Sequence, residues 1–408
     1  MIEIAKTVAV ITLATVGLVG CAGVTSNAPT PLPRTNSVAE PLPPPIAPEA
    51  PDAFAALPGW DTTNPASALE AFERSCSAWS RQAADAFVWD RTPYAGRVSD
   101  WLPVCEAVTL AADAESAKSI MEALLVPLEI EDQGDGRFTG YYEPVIEARR
   151  RPEPGFTEPV PALPSDLVWV DGAVFGGTAG EDAPAQRTQD GRLRPYPSRA
   201  SVTASGVTPI AYAHPADVVF LQIQGSGRLQ LPGEAPIRSA YAAHNGQPFR
   251  SIANWLIRRG EITLSEADLP GIRAWMDRAT PDQVRQAINA NPRMVFFLEE
   301  AIDNPSLGPR GALGVPLTPF GSIAVDPQYH ALGLPMYAAT SAPGLGGTWS
   351  GVVVAQDTGG AIKGPVRGDL YFGTGVDAGR RATTLNAPGR LWVFLPRIVA
   401  NRLPIAES

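Results

Sequence analysis

Two aspartates near the C-terminal end of the chain, Asp357 and Asp369, lie where carboxylates could exchange protons with a substrate. Asp357 follows the apolar run 352–355 and precedes a Thr-Gly-Gly turn, whereas Asp369 directly precedes the aromatic run 370–372. Loops at strand ends, held by a rigid sheet, commonly carry catalytic groups. The pair therefore suggests general acid–base chemistry, although aspartate beside glycine also forms ordinary turns.

The segments around the two aspartates predict short strands in a compact C-terminal β-unit. The continuous apolar run 352–355 indicates a buried strand. Apolar side chains at 370–372 would exclude water from Asp369, and burial raises the pKa of a carboxyl group. A charged Asp357 nearby would raise that pKa further, whereas Lys363 and Arg367, if close, would lower it.

An upstream segment, 136–144, interleaves aromatic and polar residues, which predicts a strand that Pro144 ends. Its adjacent tyrosines, which include Tyr142, either pack in the core or form a platform for a sugar ring. The sequence leaves both interpretations open.

A second upstream segment, 220–229, alternates apolar and amide residues before a Gly-Ser-Gly turn at Ser226, which predicts a strand. Gln224 near its end either binds sugar hydroxyls or completes the hydrogen bonds of a strand edge. Because the glycines directly flank Ser226, the segment is not the Gly-x-Ser-x-Gly elbow of a serine hydrolase.

Helices are predicted on both sides of a strand-rich middle region. Asn64 as N-cap and Pro65 at the first helical position start the first of them. Cys76 lies in this helix and Cys105 shortly before the next, and in an oxidising compartment they either pair or remain small buried residues. Further helices are predicted over residues 113–125, 251–259, 270–277 and 280–289.

Composition excludes several functional classes. The 408 residues are enough for two domains, and 42 prolines with 38 glycines favour short strands and turns over a helical bundle. A formal net charge of −10 without a run of Lys or Arg argues against nucleic-acid binding. The three histidines are far apart and no His or Cys pair has metal-ligand spacing, so no metal or cofactor is expected.

The N-terminus predicts an exported, lipid-anchored protein. Residues 1–20 carry one lysine and an apolar run too short to span a membrane, as in a signal peptide. The run ends in Leu-Val-Gly before Cys21, which resembles a bacterial lipobox and implies lipidation of Cys21 and sorting to the outer membrane, facing the periplasm. An ordinary signal peptide with a chance cysteine is the alternative. Residues 21–57 are proline-rich and are predicted to form a disordered linker.

Several motifs together resemble the lytic murein transglycosylase A family, with a C-terminal three-aspartate module. The resemblance spans roughly residues 58–395 and implies a mainly β fold with flanking helices. A double-psi β-barrel domain would comprise residues 58–144 and 246–408, and an inserted β-domain residues 145–245, with a substrate cleft between them. The matching stretches are GRFTGYYEP, QIQGSGRL, AAHNGQPF, SIAVDP, VAQDTGGAIKG and GDLYFGTG.

The resemblance also implies an activity and the residues that perform it. The enzyme would cleave the β-1,4 bond between N-acetylmuramic acid and N-acetylglucosamine of peptidoglycan strands without water, leaving a 1,6-anhydro ring. Asp369 would be the single acid and base, Asp357 a supporting carboxylate, and Asp326 a structural or supporting residue. Thr139, Tyr142, Gln224 and Ser226 would bind substrate.

Two other functions are compatible with the same residues. A muramidase would use water and release products with a free reducing end. An expansin-like protein would bind the cell wall without cutting it, since a fold does not dictate a function. The sequence identifies no protein partner.

Overall fold

The structure, a computed structural model, describes residues 53–403 except 133, 135, 179 and 181. The predicted signal peptide, the predicted lipidation site Cys21 and residues 22–52 of the predicted linker lie outside the described residues. Within the described part of the chain, no helix is long and apolar enough to cross a membrane.

The five predicted helices are confirmed, and every helix end that was predicted lies within two residues of the observed one. At the start of the helix predicted over residues 280–289, Thr280 and Gln283 cap each other's backbone. This pairing is the capping box that commonly begins helices. Five other helices were not predicted. The ten described α-helices are α1 (Ala66–Trp79), α2 (Val98–Thr109), α3 (Ala114–Leu124), α4 (Arg199–Ser205), α5 (Pro215–Gln224), α6 (Ile252–Arg258), α7 (Leu269–Arg278), α8 (Pro281–Asn289), α9 (Val376–Ala382) and α10 (Arg397–Ala400).

Strands make up most of the remaining regular structure, in line with the many prolines and glycines. The described strands are β1 (Leu125–Glu129), β2 (Arg137–Glu143), β3 (Val145–Arg149), β4 (Glu158–Pro161), β5 (Leu167–Asp171), β6 (Asp182–Arg187), β7 (Leu193–Pro195), β8 (Pro209–Ala213), β9 (Gly227–Gln230), β10 (Ile237–His244), β11 (Val295–Ala301), β12 (Ser322–Ala324), β13 (Pro335–Ala342), β14 (Gly347–Asp357), β15 (Arg367–Thr374), β16 (Asn386–Ala387) and β17 (Gly389–Pro396).

The largest sheet carries both aspartates. Its eight strands pair in the order β1-β17-β13-β14-β12-β15-β2-β16. The pairs β12–β14 and β15–β2 are parallel, and the other pairs are antiparallel. Strands β16 and β17 lie near opposite ends of this order, but only Pro388 separates them along the chain. The sheet must therefore curl so that its two ends approach each other. Among the described strands, the two end strands β1 and β16 do not pair with each other.

Helices α1, α2 and α3 cover this sheet with apolar side chains. The rings of Trp79 and Trp101 lie 5.1 Å apart in the buried core, which also includes Tyr337, Phe138 and Phe394. The sheet residues before Asp357 and after Asp369 are buried, as the apolar runs predict. The predicted fold class, mainly β with flanking helices and a second β-region, is confirmed.

The second β-region has its own sheet and its own cores. Its strands pair in the order β11-β10-β9-β3-β8-β4, and a small sheet β5-β6-β7 adjoins it. Helices α6, α7 and α8 share an apolar cluster with α5. The predicted domain division between residues 245 and 246 lies between the paired strands β10 and β11, so the hydrogen-bonded region continues to Ala301.

The predicted strand over 220–229 is wrong in its first part, because Phe220 to Gln224 belong to helix α5. His214 caps this helix by accepting the Ala216 N–H at 3.1 Å, and Pro215 occupies its first position. Gly225 then ends the helix in a left-handed conformation with φ 85°. These start and stop signals outweigh a short apolar–amide alternation. Only β9, from Gly227, is a strand.

The predicted linker also ends earlier than expected. Leu57 is 4% exposed and belongs to the main core, and Phe54 packs with ring centroids 4.8 Å from Trp60 and 5.3 Å from Phe394. Phe54 and Leu57 thus pack into the main core. The proline-rich composition of the segment did not predict this packing. The described residues 53–57 are therefore part of the folded region.

A disulfide joins Cys76 on α1 to Cys105 on α2, across a sequence separation of 29. This resolves the alternatives left open by the sequence in favour of pairing. The bond fastens two helices that pack over the sheet, and its two half-cystines lie beside the core that contains Trp79 and Trp101.

Loss of this disulfide should lower the free energy of unfolding by roughly 3–4 kcal/mol, because the cross-link restricts the unfolded chain. The measurement is denaturant-induced unfolding of the oxidised protein and of a Cys76→Ala/Cys105→Ala variant. Adding reductant should destabilise the wild type and leave the variant unchanged. Equal stability of the two proteins without reductant would contradict the prediction.

Candidate active site

Strand β12 brings the two predicted catalytic aspartates to the same place. Ala324 at its end pairs with Asp357 of β14 on one side and with Asp369 of β15 on the other. Adjacent strands lie about 4.8 Å apart, so the two backbones are separated by roughly 10 Å. Carboxyl side chains at that spacing can face one sugar unit.

Asp369 is partly exposed and has one short hydrogen bond. Thr139 on β2, the register partner of Asp369, donates its hydroxyl to Oδ1 at 2.6 Å. Arg367 Nη2 in turn donates to Thr139 Oγ1 at 2.9 Å, which fixes the threonine. Among the described residues, none donates a hydrogen bond to Oδ2 of Asp369. One carboxyl oxygen is therefore held and the other is left for a substrate.

Burial raises the pKa of Asp369 to about 6, above the usual value near 4. The hydrogen bond from Thr139 and the charge of Arg367 lower that pKa, and the charge of Asp357 raises it, but desolvation dominates. The sequence left the balance between Arg367 and the apolar neighbours open, and packing decides it. Asp369 can hold a proton close to neutral pH.

Both carboxyl oxygens of Asp357 accept hydrogen bonds. Tyr141 donates its hydroxyl to Oδ2 at 2.9 Å, and the Ala312 N–H donates to Oδ1 at 3.0 Å. Burial raises the pKa of Asp357, while hydrogen bonds from Thr358, Tyr141 and Ala312 lower it. Burial outweighs these donors and the pKa of Asp357 is raised overall, while the donors on both oxygens oppose that rise and hold the carboxyl group still.

Sequence reasoning missed Tyr141, which was treated only as one of a tyrosine pair. It is partly buried, its ring centroid lies 5.2 Å from that of Tyr371, and burial followed by the charge of Asp357 raises its pKa well above the usual range. Tyr141 therefore stays a hydrogen-bond donor. Side chains alternate between the two faces of a strand, so Thr139 and Tyr141 lie on one face of β2 and Tyr142 on the other. This alternation is the sequence signal that could have identified Tyr141.

Asp326 lies at 1% exposure behind the loop that joins β14 and β15. Its Oδ2 accepts the Gly364 N–H at 3.0 Å, and its Oδ1 accepts the Gln328 N–H at 3.2 Å. Lys363 lies 3.7 Å from the same carboxylate. These contacts anchor the loop after Asp357, and buried Asp326 presents little surface to a ligand.

The remaining predicted binding residues lie where β2 meets the second region. The Gln224 side chain at the end of α5 accepts the Tyr142 N–H at 3.1 Å. Ser226 is 5% exposed, and its hydroxyl oxygen accepts the Tyr241 N–H at 3.0 Å. Gln224 and Ser226 thus use part of their hydrogen-bonding capacity to shape the backbone of the site.

A buried ion cluster joins the two regions beside the site. Glu143, at the end of β2, accepts hydrogen bonds from Arg228 Nε at 2.8 Å and Arg238 Nε at 2.6 Å. Thr374, at the end of β15, donates to the same carboxylate at 2.7 Å. The cluster connects β9 and β10 of the second region to the strand that carries Asp369.

The second region also contributes side chains that the sequence analysis did not select. Tyr241 on β10 is 45% exposed, and its pKa is raised by burial and by the charge of Asp357 and lowered by Arg293. His244 accepts the Gly246 N–H on Nδ1 at 2.8 Å, and burial with Arg293 nearby lowers its pKa to about 4. His244 is therefore neutral near pH 7. Trp169 of β5 packs edge-on against His244 at 5.7 Å between ring centroids.

The described residues contain no group of three or more His, Cys, Asp or Glu side chains arranged to hold a metal ion. What they do contain is a protonatable carboxyl, a second carboxylate held by two donors, and aromatic and amide side chains around them. Such an arrangement suits acid–base chemistry on a polar, neutral substrate such as a carbohydrate.

The chain matches two protein families over most of its described length. Residues 137–298 match the MltA specific insert domain, and residues 321–395 match the 3D domain. The membrane-bound lytic murein transglycosylase A of Escherichia coli K12 is 32% identical over 275 residues, which cover 65% of this chain and 67% of the relative.

Solved structures share the fold. A crystal structure of membrane-bound lytic murein transglycosylase from Agrobacterium tumefaciens aligns with TM-score 0.71 and 29% identity, over 88% of this chain and 99% of that one. The structure of Escherichia coli MltA with bound chitohexaose aligns with TM-score 0.60 and 25% identity, over 87% and 94% of the two chains.

The raised pKa of Asp369 predicts that Asp369→Asn stabilises the folded protein near neutral pH. Its folded pKa of about 6 exceeds the unfolded value, so between the two values the native state binds more protons and stability falls as pH rises. The asparagine side chain of the variant is uncharged at every pH, so folding does not bury a charge there. The variant should be about 1–3 kcal/mol more stable than wild type at pH 7.5, with the difference vanishing below pH ~4.

Urea unfolding at several pH values measures this difference. Asp303→Asn, at an exposed aspartate with no ion pair among the described residues, controls for the loss of a negative charge. A difference for Asp369→Asn that grows as pH falls would have the wrong sign and would contradict the assigned pKa shift.

Proposed function

Because the chain belongs to the membrane-bound lytic murein transglycosylase A family, it is a peptidoglycan lytic transglycosylase, and we propose that Asp369 is its single catalytic acid and base. The environment of the Asp369 carboxyl group supports this role best. It is partly exposed, one oxygen has no donor among the described residues, and burial keeps its pKa at about 6.

The first step is protonation of the glycosidic oxygen. Asp369 donates its proton to O4 of the N-acetylglucosamine as the bond from C1 of N-acetylmuramic acid breaks. Positive charge develops at C1 and its ring oxygen, as in other glycosidic cleavages. General acid help of this kind contributes about 10²–10⁴ in rate.

The second step uses the same residue in reverse. The C6 hydroxyl of the muramyl unit attacks C1, and the ionised Asp369 accepts the hydroxyl proton. One C–O bond has broken, another has formed, and no water is consumed, so the product carries a 1,6-anhydro ring. Asp369 ends protonated and ready for another cycle, which is why one acid–base residue is sufficient.

Asp357 supports the reaction as an ionised carboxylate. Tyr141 and the Ala312 N–H occupy its two oxygens, so it cannot easily deliver a proton, but its charge can stabilise the cationic transition state. Its charge also raises the pKa of Asp369. Asp326 acts indirectly, through its hydrogen bond to Gly364 in the loop after Asp357.

Four residues around the carboxylates would bind the glycan. Thr139 orients Asp369 through its 2.6 Å hydrogen bond and would lie next to the reacting bond. Tyr142, on the opposite face of β2, packs part of its ring against the main core and would contact the glycan only through the part that is exposed. Gln224 retains its amide donors after accepting the Tyr142 N–H, and Ser226 retains its hydroxyl proton after accepting the Tyr241 N–H.

The bound chitohexaose in the Escherichia coli relative supports a glycan as the ligand of this fold. The Glu143 cluster joins the eight-stranded sheet to the second sheet. The substrate would lie between these two sheets. In domain terms, the inserted unit would begin after β2, as predicted at residue 145, and would continue through β11 to residue 301.

Membrane attachment would come from outside the described residues. The relatives are membrane-bound enzymes by name, and the Leu-Val-Gly-Cys pattern at Cys21 would supply a lipid anchor. We place the protein at the outer membrane, facing the periplasm, where its glycan substrate lies. The proline-rich segment after Cys21 would separate the anchor from the folded region.

Soluble products released from purified sacculi by residues 22–408 should be lighter by one water than the corresponding hydrolysed muropeptides, because the C6 hydroxyl replaces water. Mass spectrometry of the products measures this. Asp369→Asn should lose at least 10²-fold in turnover while still binding sacculi, and Asp303→Asn should retain activity.

Three outcomes would change the conclusion. Products at the hydrolysed mass would make the protein a muramidase, with Asp357 as the first residue to test for water activation. Binding without soluble products would favour an expansin-like wall-binding role. An Asp369→Asn variant that keeps a tenth of wild-type turnover would remove Asp369 from the acid–base role.

Thr139→Val should move the alkaline limb of the kcat/KM profile to higher pH, by up to about one unit. The hydroxyl of Thr139 lowers the pKa of Asp369, so its removal raises that pKa and keeps the acid protonated at higher pH. Thr340→Val, which removes a hydroxyl bonded to Pro388 O elsewhere in the sheet, is the control. A shift of the limb toward lower pH would contradict this coupling.

A further inference from the structure

A cavity of about 440 Å³ opens in the second region, beside the helices α6 and α8. Its lining combines two guanidinium groups, one indole ring and two side-chain amides. Cations next to amides suit a ligand that has both carboxylates and peptide groups. The residues that matter for this argument are Gln247, Arg250, Trp255, Arg258 and Asn289.

Arg293 connects this cavity to the candidate active site. Its Nη1 donates to the carbonyl oxygen of Gln247, a lining residue, at 3.3 Å. Its Nη2 lies 3.9 Å from the position that a Cβ would take on Gly360, in the loop that follows Asp357. The guanidinium group therefore lies between the cavity and the catalytic carboxylates.

A buried amide fixes two of the arginines relative to each other. Asn291 is 7% exposed, and its Oδ1 accepts the Arg250 N–H at 3.0 Å and the Arg293 N–H at 3.2 Å. The backbone at both arginines is thus held in place before any ligand arrives. A preorganised pair of this kind loses less entropy on binding.

The charges of these arginines are not neutralised within the described residues. Other arginines of the same region have carboxylate partners, such as Arg285 with Glu158 and Arg273 with Asp217. Within the described part of the chain, no carboxylate oxygen lies within 4.0 Å of the guanidinium groups of Arg250, Arg258 or Arg293. Two of these cations, Arg250 and Arg258, line the cavity and Arg293 adjoins its wall at Gln247, although the whole chain has a formal net charge of −10.

An unpartnered amide adds to the case for a peptide ligand. The side-chain oxygen of Asn289, which belongs to the lining, is buried without a hydrogen-bond partner in the described structure. An unpaired buried acceptor is costly, and a ligand N–H could supply the missing bond. Trp255 offers an apolar surface beside it, with Arg259 already placed over its ring at 4.7 Å.

We propose that Arg250, Arg258 and Arg293 form a carboxylate-binding site for the peptide stem attached to the muramyl unit. The proposal rests on the proposed function, because it takes the substrate to be peptidoglycan. A stem of four residues reaches up to about 14 Å when extended, and Arg293 lies beside both the loop that follows Asp357 and the cavity-lining residue Gln247. The site selects glycan strands that carry acidic stems.

Two substrates test this selection: glycan strands with intact tetrapeptide stems, and the same strands after an amidase has removed the stems. The triple variant Arg250→Gln/Arg258→Gln/Arg293→Gln should lower the ratio of kcat/KM for stem-bearing to stem-free strands about tenfold, because charge-assisted hydrogen bonds are lost. Arg293→Gln alone should lower the ratio several-fold.

The matched control removes three exposed arginines remote in sequence from the cavity, Arg81→Gln/Arg91→Gln/Arg192→Gln, and loses the same charge. Its ratio should stay at the wild-type value. A ratio that changes less than twofold in the cavity variant, or equally in both triple variants, would overturn the proposal.

Direct binding separates this proposal from the catalytic one. Calorimetric titration with the free stem tetrapeptide should give about tenfold weaker binding for the cavity variant than for wild type or the control. Asp369→Asn should bind the tetrapeptide like wild type even though it lacks turnover. Tetrapeptide binding that is absent from wild type would refute the stem site and leave the assignment of Asp369 intact.

Discussion

The short strand β12 is the constraint on which the active-site arrangement depends. It comprises only Ser322–Ala324, all buried, and it pairs in parallel with β14 and antiparallel with β15. Ala324 thereby determines the separation of Asp357 and Asp369, and its small side chain leaves room between them. Strand β15, which carries Asp369, lies between β12 and β2. Burial of the Asp369 carboxyl group there is the main reason for its raised pKa.

A single proton-transfer residue needs neighbours that restrain it without neutralising it. Thr139 occupies one oxygen of Asp369, and Arg367 bonds to the Thr139 hydroxyl and not to the carboxyl group, so the charge of Arg367 lowers the pKa of Asp369 without outweighing burial. Asp357, by contrast, is held on both oxygens by Tyr141 and Ala312. Two residues of the same type thus differ in their hydrogen-bond partners, and this difference suits them to the different roles that we propose.

The buried carboxylate of Glu143 holds the second region against the catalytic sheet. Arg228, Arg238 and Thr374 all bond to it. Removing one member of such a buried cluster typically costs about 3–5 kcal/mol, since a charge is left without a partner. Arg238 and Tyr241 share strand β10, so this attachment also holds Tyr241 where the charge of Asp357 affects its pKa.

The sequence by itself determined the local features of this protein. Apolar runs predicted the strands around Asp357 and Asp369, and start signals such as Asn64 with Pro65 predicted helices, because these signals depend on neighbours along the chain. Motifs in order were sufficient to indicate the family and to single out Asp369. The strand predicted through Phe220 failed for the same local reason, because a short alternation competed with Pro215 and Gly225 and the helix signals prevailed.

Only the tertiary structure decided which residues meet. Tyr141 and Asp357 are 216 positions apart, and Thr139 and Asp369 are 230 apart, yet both pairs are hydrogen-bonded. Pairing of Cys76 with Cys105 likewise required the packing of α1 on α2. The balance of charges at Asp369 depends on distances and burial, and so does the position of Arg250 and Arg258 in one cavity. Spacing along a chain does not encode those quantities, because they arise only when distant strands and helices pack together.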